Sequence, residues 1–127
     1  MHFRRFIIYS SLLCSTLAVK AQPLQEFPIG KVELNPSWVK EREQLDIDFI
    51  RGIDADRLLH TFRLTAGIPS QAEPLGGWEA PYIGLRGHFT GHYLSALSTL
   101  VNRYGDDILN QRLKYLIDEL ERCQQAN

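Results

Sequence analysis

Cysteine is scarce in this chain. The chain also lacks the excess of apolar residues that marks a membrane protein and the excess of basic residues that marks a nucleic-acid-binding protein. Only Cys14 and Cys123 occur in 127 residues. The 14 basic residues are balanced by 15 acidic ones, so the basic face that nucleic acid requires is not expected. The only long apolar run lies at the N-terminus. A hydrophobic share of 44% and a charged share of 23% are typical of one small globular domain.

Residues 1–21 have the composition of a signal peptide. The basic pair Arg4-Arg5 precedes the apolar run 6–19, and residues 19–21 form a small-residue cleavage site. The run is shorter than a membrane-spanning helix needs. We therefore expect cleavage after Ala21, export to the periplasm or the medium, and no membrane attachment afterwards.

The mature chain is expected to be acidic and to lack an intrachain disulfide. Without the leader it keeps 11 basic and 15 acidic residues, a formal charge of −4. Cys123 is then its only cysteine, and a single cysteine cannot pair within the chain. Because free cysteines are among the most buried residues, we expect Cys123 to lie in the core on a helix.

The first half of the mature chain predicts an extended lead-in and two helices. Residues 22–36 read as the lead-in, in which residues 31–34 form either a short strand or a segment lying along the body. Ser37 starts a helix that ends near Gly52, and Asp54 caps a second helix through about Thr65. The spacing predicts a buried face on the first helix, and on the second an inward face and three surface charges. The buried face of the first helix consists of Trp38, Val39, Arg42, Leu45, Phe49 and Ile50. The inward face of the second consists of Leu58, Leu59 and Phe62, and its surface charges are Arg57, His60 and Arg63.

The second half predicts a long loop and two more helices, which gives an all-α fold. Residues 70–84 are a Pro- and Gly-rich loop, and loops of this length are usually functional when they are not disordered. A third helix begins no earlier than about Leu85 and stops at Gly105. Asp106 or Asp107 caps a fourth. Two sets of residues share a face: a small-residue stripe that needs a close neighbour (Gly87, Gly91, Ser95, Ser98) and an apolar face on the last helix (Ile108, Leu109, Leu113, Leu116, Ile117, Leu120, Cys123).

The stretch from Gly76 to His92 is the strongest candidate for a functional site. A Gly-Gly-Trp-Glu turn precedes a helix on which His88 and His92 share one face. Three interpretations remain open. The residues form a sugar-binding wall with Trp78 and Tyr82, as suits a small polar ligand. The two histidines bind a metal ion, although no Glu of the zinc-protease motif lies between them. Or the histidines fill a polar layer between packed helices.

A family resemblance favours the sugar-binding wall. The segment IDADRLLHTFRLTAGIPSQAEPLGGWE (Ile53–Glu79), followed by GLRGHFTGHYLSA (residues 84–96), resembles the opening of the β-L-arabinofuranosidase-like glycoside hydrolases of families 127 and 146. The resemblance covers about residues 32–126. It implies substrate-binding roles for Trp78 and Glu79 of the Gly-Gly-Trp-Glu turn and for His92. His88, on the same helix face as His92, is a further substrate-binding candidate.

The resemblance also implies an architecture and a reaction. Residues 37–127 are expected to be the first helices of an (α/α)6 toroid, incomplete as a domain, whose partners are a carbohydrate substrate and the missing C-terminal part of the same enzyme. The implied reaction is the release of L-arabinofuranose from plant-type glycans with retention of configuration. The catalytic cysteine, the zinc ligands and the acid/base of such enzymes lie downstream of the matching segment.

No catalytic role and no metal therefore falls to this chain, and zinc is implied only for the intact enzyme. The alternative to this interpretation is a small exported helical module that binds carbohydrate or another protein without catalysis.

Overall fold

The chain folds into α-helices joined by irregular segments. A computed structural model describes residues 23–127; the predicted signal peptide, residues 1–21, lies outside the described residues. Within the described range the chain forms four α-helices and two short 3-10 helices, with no β-strand. The α-helices are α1 (Trp38–Gly52), α2 (Ala55–Thr65), α3 (His88–Tyr104) and α4 (Asp107–Ala126); the 3-10 helices are Ile29–Lys31 and Gly77–Glu79. This confirms the all-α prediction and is consistent with the first helices of an (α/α)6 toroid.

Local sequence signals set the starts of α2 and α4 and the end of α3 as predicted, whereas Ser37, the predicted cap of α1, makes no side-chain capping hydrogen bond. Asp54 Oδ1 accepts a hydrogen bond from the backbone N–H of Asp56 at 2.9 Å, at the start of α2. Asp106 Oδ1 accepts from the second and third N–H groups of α4 at 2.9 and 3.0 Å. These N–H groups have no partner within the helix, so the aspartates stabilise both N-termini. Gly105 ends α3 in the left-handed conformation, with φ at +63°.

The core lies where α2, α3 and α4 meet. Helix α4 packs against α2 and α3, and α3 also contacts α1 and the Ile29–Lys31 turn. Cys123 is buried as a free thiol, which confirms the prediction for this residue. The buried cluster consists of Ile50, Leu58, Leu59, Tyr93, Leu97, Leu109 and Leu116.

The predicted buried face of α1 is wrong for all of its residues except Ile50. Trp38, Leu45 and Phe49 are 73%, 56% and 60% exposed among the described residues. The buried residues of α1 are Ile50, which belongs to the predicted face, and Ile47, which does not. Helix α1 therefore carries two apolar surfaces, and hydrophobic spacing alone does not tell which of them contacts the rest of the chain.

Arg112 fixes the C-terminal end of α1 to α4. Its Nη1 donates hydrogen bonds to the carbonyl oxygens of Ile50, Arg51 and Ile53 at 3.1, 2.8 and 2.7 Å. The hydroxyl of Tyr93, on α3, donates to the Ile50 carbonyl at 2.9 Å. The last carbonyls of a helix lack intrahelical donors and carry partial negative charge, so a guanidinium there stabilises the helix end.

The lead-in lies along the body and forms no strand in the described residues. The Ile29–Lys31 turn contacts α3, and a Cβ added to Gly30 would lie 3.6 Å from the Asn102 carbonyl. This contact selects one of the two alternatives left open for residues 31–34. Among residues 23–127, no helix combines the length and the hydropathy that a bilayer span requires.

Arg63 is not the surface charge that the sequence suggested. Its side chain is 11% exposed, and it joins α2 to α4. Its Nε donates to Glu119 Oε2, its Nη1 to Asp56 Oδ1 and its Nη2 to the Tyr115 hydroxyl, each at 2.8 Å. His60 is also buried, whereas Arg57 is exposed as expected. The surface prediction failed for two of the three residues because polar partners on other segments allow their burial.

The ion pairs around Arg63 change the pKa values of the groups involved. Burial lowers the pKa of Arg63, but hydrogen bonds to Asp56 and Glu119 outweigh it and raise the pKa above its ordinary value. The hydrogen bond from Arg63 lowers the pKa of Glu119. For Asp56, the hydrogen bond from Tyr115 and then that from Arg63 lower the pKa. All three groups are therefore charged at neutral pH.

Candidate functional site

The loop before α3 is held by side chains of α2. His60 Nδ1 lies 3.0 Å from Ser70 Oγ. Arg57 donates from Nε to the carbonyl oxygen of Glu73 at 3.1 Å and from Nη2 to that of Pro74 at 3.3 Å. Residues 70–75 are therefore attached to the outer side of α2. This attachment brings the Gly77–Glu79 turn to the start of α3.

The side chain of Glu79 caps the N-terminus of α3, although it lies eight residues before Gly87 in the sequence. Its Oε2 accepts from the N–H of Gly87 at 2.7 Å, and its Oε1 accepts from those of Phe89 and Thr90 at 2.6 and 3.3 Å. The residue is 4% exposed. A carboxylate at a helix N-terminus satisfies orphan N–H groups and interacts favourably with the helix dipole. Both oxygens of Glu79 are therefore engaged in holding the loop to the helix.

Gly87 allows this close junction between the loop and α3. It has φ of +92°, in the left-handed region, and precedes the first residue of the helix. A Cβ at this position would lie 2.9 Å from Phe62 Cζ on α2. Both the backbone conformation and the space require glycine. The prediction that Gly87 belongs to a small-residue stripe within α3 is therefore wrong.

The rest of that stripe has no close neighbour in the described residues. A Cβ on Gly91 would meet nothing within 4 Å. Ser95 and Ser98 are exposed, and their hydroxyls donate to backbone carbonyls of α3 itself. The predicted close approach of another helix is thus not seen among residues 23–127. Small and polar residues are instead presented on the surface next to the two histidines.

Trp78, His88 and His92 form one exposed cluster. The Trp78 and His88 rings meet edge to face with centroids 5.5 Å apart, and those of His88 and His92 do so at 4.6 Å. The two imidazoles also lie within hydrogen-bonding distance, with Nε2 to Nε2 at 3.2 Å. Trp78 is 61% exposed. The cluster therefore offers one large ring face and two imidazoles to the surroundings.

A shallow apolar pocket lies on another side of Trp78. It has a volume of about 320 Å³ and is open to the surroundings. Its lining includes Leu75, Trp78, Glu79 and Phe89 but neither histidine. Tyr82, which the sequence grouped with Trp78, is almost fully exposed at 86%. The aromatic side chains and the histidines thus share one region of the surface without lining a single closed cavity.

No metal centre of three or more protein ligands is found among the described residues. No group of three His, Cys, Asp or Glu side chains lies close enough to hold one ion in that part of the chain. Cys123 is buried in the core on α4, away from the histidine helix face. The zinc centre that the resemblance implies for the intact enzyme stays a prediction.

A comparison with protein families shows to which family the chain belongs. Residues 31–127 match the family model described as β-L-arabinofuranosidase, GH127 catalytic domain. The chain belongs to this family. No curated protein matches it. Membership makes the chain part of a glycoside hydrolase family, in agreement with the resemblance seen in its sequence.

In this GH127 chain the predicted site residues fall into two groups. Trp78, His88 and His92 lie together and exposed, whereas Glu79 lies behind them as the cap of α3. Substrate contacts of all four stay predictions. Sequence reasoning missed the capping role, because Glu79 reaches N–H groups 8 to 11 residues away through the turn at Gly87. It also missed the Arg57 contacts, which depend on the backbone path of the loop.

Proposed function

We propose that this chain forms part of the substrate-pocket wall of an exported glycoside hydrolase. The enzyme would release L-arabinofuranose from plant-type glycans with retention of configuration. The observation that supports this best is the exposed cluster of Trp78, His88 and His92 in a member of the GH127 family. No residue of the chain is assigned a catalytic role in this proposal.

The chemistry of the cluster suits a small sugar. The exposed ring of Trp78 offers an apolar face to the C–H groups of a furanose. The imidazoles of His88 and His92 each offer a ring nitrogen that can donate to or accept from a hydroxyl group. A site with few polar groups next to an aromatic ring is typical of pockets for small polar ligands.

Glu79 serves this site indirectly in our proposal. Its carboxylate holds the N-terminal turn of α3, and that turn begins with His88. The same residue follows Trp78 directly in the Gly77–Glu79 turn. One buried side chain thus fixes the spacing between the tryptophan and the histidines, and we expect its loss to disturb both.

The reaction itself requires groups that we do not assign to this chain. A retaining glycosidase needs a nucleophile and an acid/base on opposite sides of the scissile bond, about 5 Å apart when both are carboxyl groups. Our proposal leaves both roles, and any zinc that supports them, to the remainder of the catalytic domain.

Hydrolysis of aryl arabinofuranosides tests the proposal. The enzyme that contains this segment should release p-nitrophenol from the β-L-arabinofuranoside in preference to the α-L-arabinofuranoside and the β-D-xylopyranoside. Proton NMR of the first product should show the β configuration. No activity on the β-L-arabinofuranoside, with turnover of another glycoside, would refute the substrate assignment.

Export is a second part of the proposal. It is supported by the basic pair Arg4-Arg5, the apolar run 6–19 and the small residues at 19–21. N-terminal sequencing of the protein recovered from the periplasm or the medium should begin at Gln22. A cytoplasmic protein that retains Met1 would contradict it.

A carbohydrate-binding module without catalysis is the second candidate. The buried cluster shared by α2, α3 and α4 favours it, because these helices have a core of their own. Such a module would bind arabinan oligosaccharides and unfold cooperatively, but no assembly containing it would hydrolyse them. Turnover by the enzyme that contains the segment would exclude this candidate.

A further inference from the structure

The two histidines of α3 have the geometry of a metal chelate. His88 and His92 are four residues apart on one exposed face of the helix, and their Nε2 atoms are 3.2 Å apart. Imidazole nitrogens lie at about 2.0–2.1 Å from a bound zinc ion. Two such nitrogens separated by 3.2 Å subtend an angle of about 100° at the ion, between the square-planar and the tetrahedral values. The helix backbone therefore already sets the spacing that a shared ion needs.

Both imidazoles are free of competing partners. Among the described residues, the contact between the two rings is the only side-chain hydrogen bond that either makes. Trp78 packs against His88 with the ring centroids 5.5 Å apart and the ring planes at 62°. An incoming ion would thus replace only the proton in the hydrogen bond between the two Nε2 atoms. No ion pair and no buried hydrogen bond would be lost.

The sequence and its family resemblance assign no metal to this chain; we propose instead that His88 and His92 bind one divalent transition-metal ion through their Nε2 atoms. Imidazole suits Cu²⁺, Ni²⁺ and Zn²⁺, and affinity at such a site follows the order in which Cu²⁺ binds most tightly. No third His, Cys, Asp or Glu within residues 23–127 is near enough to complete the coordination. Water fills the remaining positions, and the ion exchanges readily. The inference concerns binding alone and does not depend on the proposed hydrolase activity.

Trp78 provides a reporter for this site. Its ring centroid lies 5.5 Å from that of His88, and a paramagnetic Cu²⁺ ion bound to this imidazole should quench the fluorescence of the neighbouring indole. The other tryptophan, Trp38, is 73% exposed, so Trp38→Phe removes its emission with little effect on the fold. In this background we expect Cu²⁺ to quench Trp78 in a saturable manner with one ion per chain, and Ni²⁺ and Zn²⁺ to compete in that order of decreasing strength.

Single substitutions identify the ligands. His88→Ala and His92→Ala should each raise the apparent dissociation constant for Cu²⁺ at least tenfold, measured by isothermal titration calorimetry. Calorimetry is used because it does not depend on the Trp78 reporter. Ser95→Ala, on the same exposed face, should leave the constant unchanged. Alanine is the best helix former, so these exposed changes do not endanger α3, which circular dichroism checks.

Two results would overturn the proposal. Equal Cu²⁺ affinity in the wild-type chain and both histidine variants would place the ion elsewhere. Quenching without saturation up to millimolar Cu²⁺ would show that the pair binds no ion. As an independent readout, Zn²⁺ should raise the unfolding midpoint of the wild-type chain, since only helical α3 holds the two rings together. His92→Ala should lose this effect.

Discussion

Replacing Glu79 by glutamine tests how the loop and α3 are joined. The wild-type carboxylate accepts three backbone hydrogen bonds, two of them at 2.6 and 2.7 Å. Hydrogen bonds to charged groups contribute about 1.5–3 kcal/mol each, and a charge at a helix N-terminus about 0.3–1 kcal/mol more. The amide of Glu79→Gln keeps one acceptor oxygen. Its NH₂ group would face either the N–H of Gly87, with one hydrogen bond lost, or those of Phe89 and Thr90, with two lost.

We therefore expect Glu79→Gln to destabilise the fold by about 2 kcal/mol, about a thirtyfold change in the folding equilibrium. For a domain of this size the melting temperature should fall by about 10 °C. Urea unfolding followed by circular dichroism at 222 nm measures the change. The matched control is Glu73→Gln in the same loop, where the side chain is exposed.

Equal unfolding midpoints for the two variants would refute the capping role. A loss of stability with an unchanged midpoint for Glu73→Gln would support it. If Glu79→Gln kept full stability, the three short backbone contacts would contribute nothing. The argument that Glu79 fixes the spacing between Trp78 and the histidines would then fail as well.

Three further measurements test the core, the Arg63 network and its pH dependence. Leu97→Ala should lower the free energy of unfolding by about 3 kcal/mol, because the side chain is fully buried. Leu45→Ala should lower it little, because this side chain of α1 is exposed. Similar losses for the two variants would contradict the burial pattern. Arg63→Met should cost about 2 kcal/mol, because it removes the cation that Asp56 and Glu119 share and leaves Glu119 only its pair with Arg122. No loss would contradict a stabilising role for these ion pairs. Because the folded pKa values of Glu119 and Asp56 are lowered, their contribution is complete above the ordinary values of 4.5 and 3.8 and is lost as pH falls through the folded values. Wild-type stability should drop in that acid range more steeply than that of Arg63→Met, and parallel curves would contradict this.

Local residues predicted the helices and their ends. Asp54, Asp106 and Gly105 act on residues no more than four positions away, so their effects are visible in sequence. The pairing of His88 with His92 is of the same kind, because four residues make about one turn. Such features depend on the helix alone and need no knowledge of the packing.

Contacts between distant segments were not predictable in this way. The face that α1 buries depends on which neighbours it meets, and Phe49 and Ile50 are equally apolar in sequence. The burial of Arg63 depends on Glu119, which is 56 residues away. Glu79 reaches Phe89 only because Gly87 turns the backbone with φ of +92°. Each of these needs the path of the loop, which residue spacing does not contain.

The most direct test of the central claim is the kinetics of His92→Ala in the enzyme that contains this segment. If the exposed cluster forms one wall of the sugar pocket, losing one hydrogen bond to a substrate hydroxyl should lower kcat/KM on p-nitrophenyl β-L-arabinofuranoside by about 10- to 100-fold. The melting temperature should change little, because His92 is exposed, and Ser95→Ala should keep wild-type kinetics. Unchanged kcat/KM in a folded His92→Ala enzyme would contradict the account.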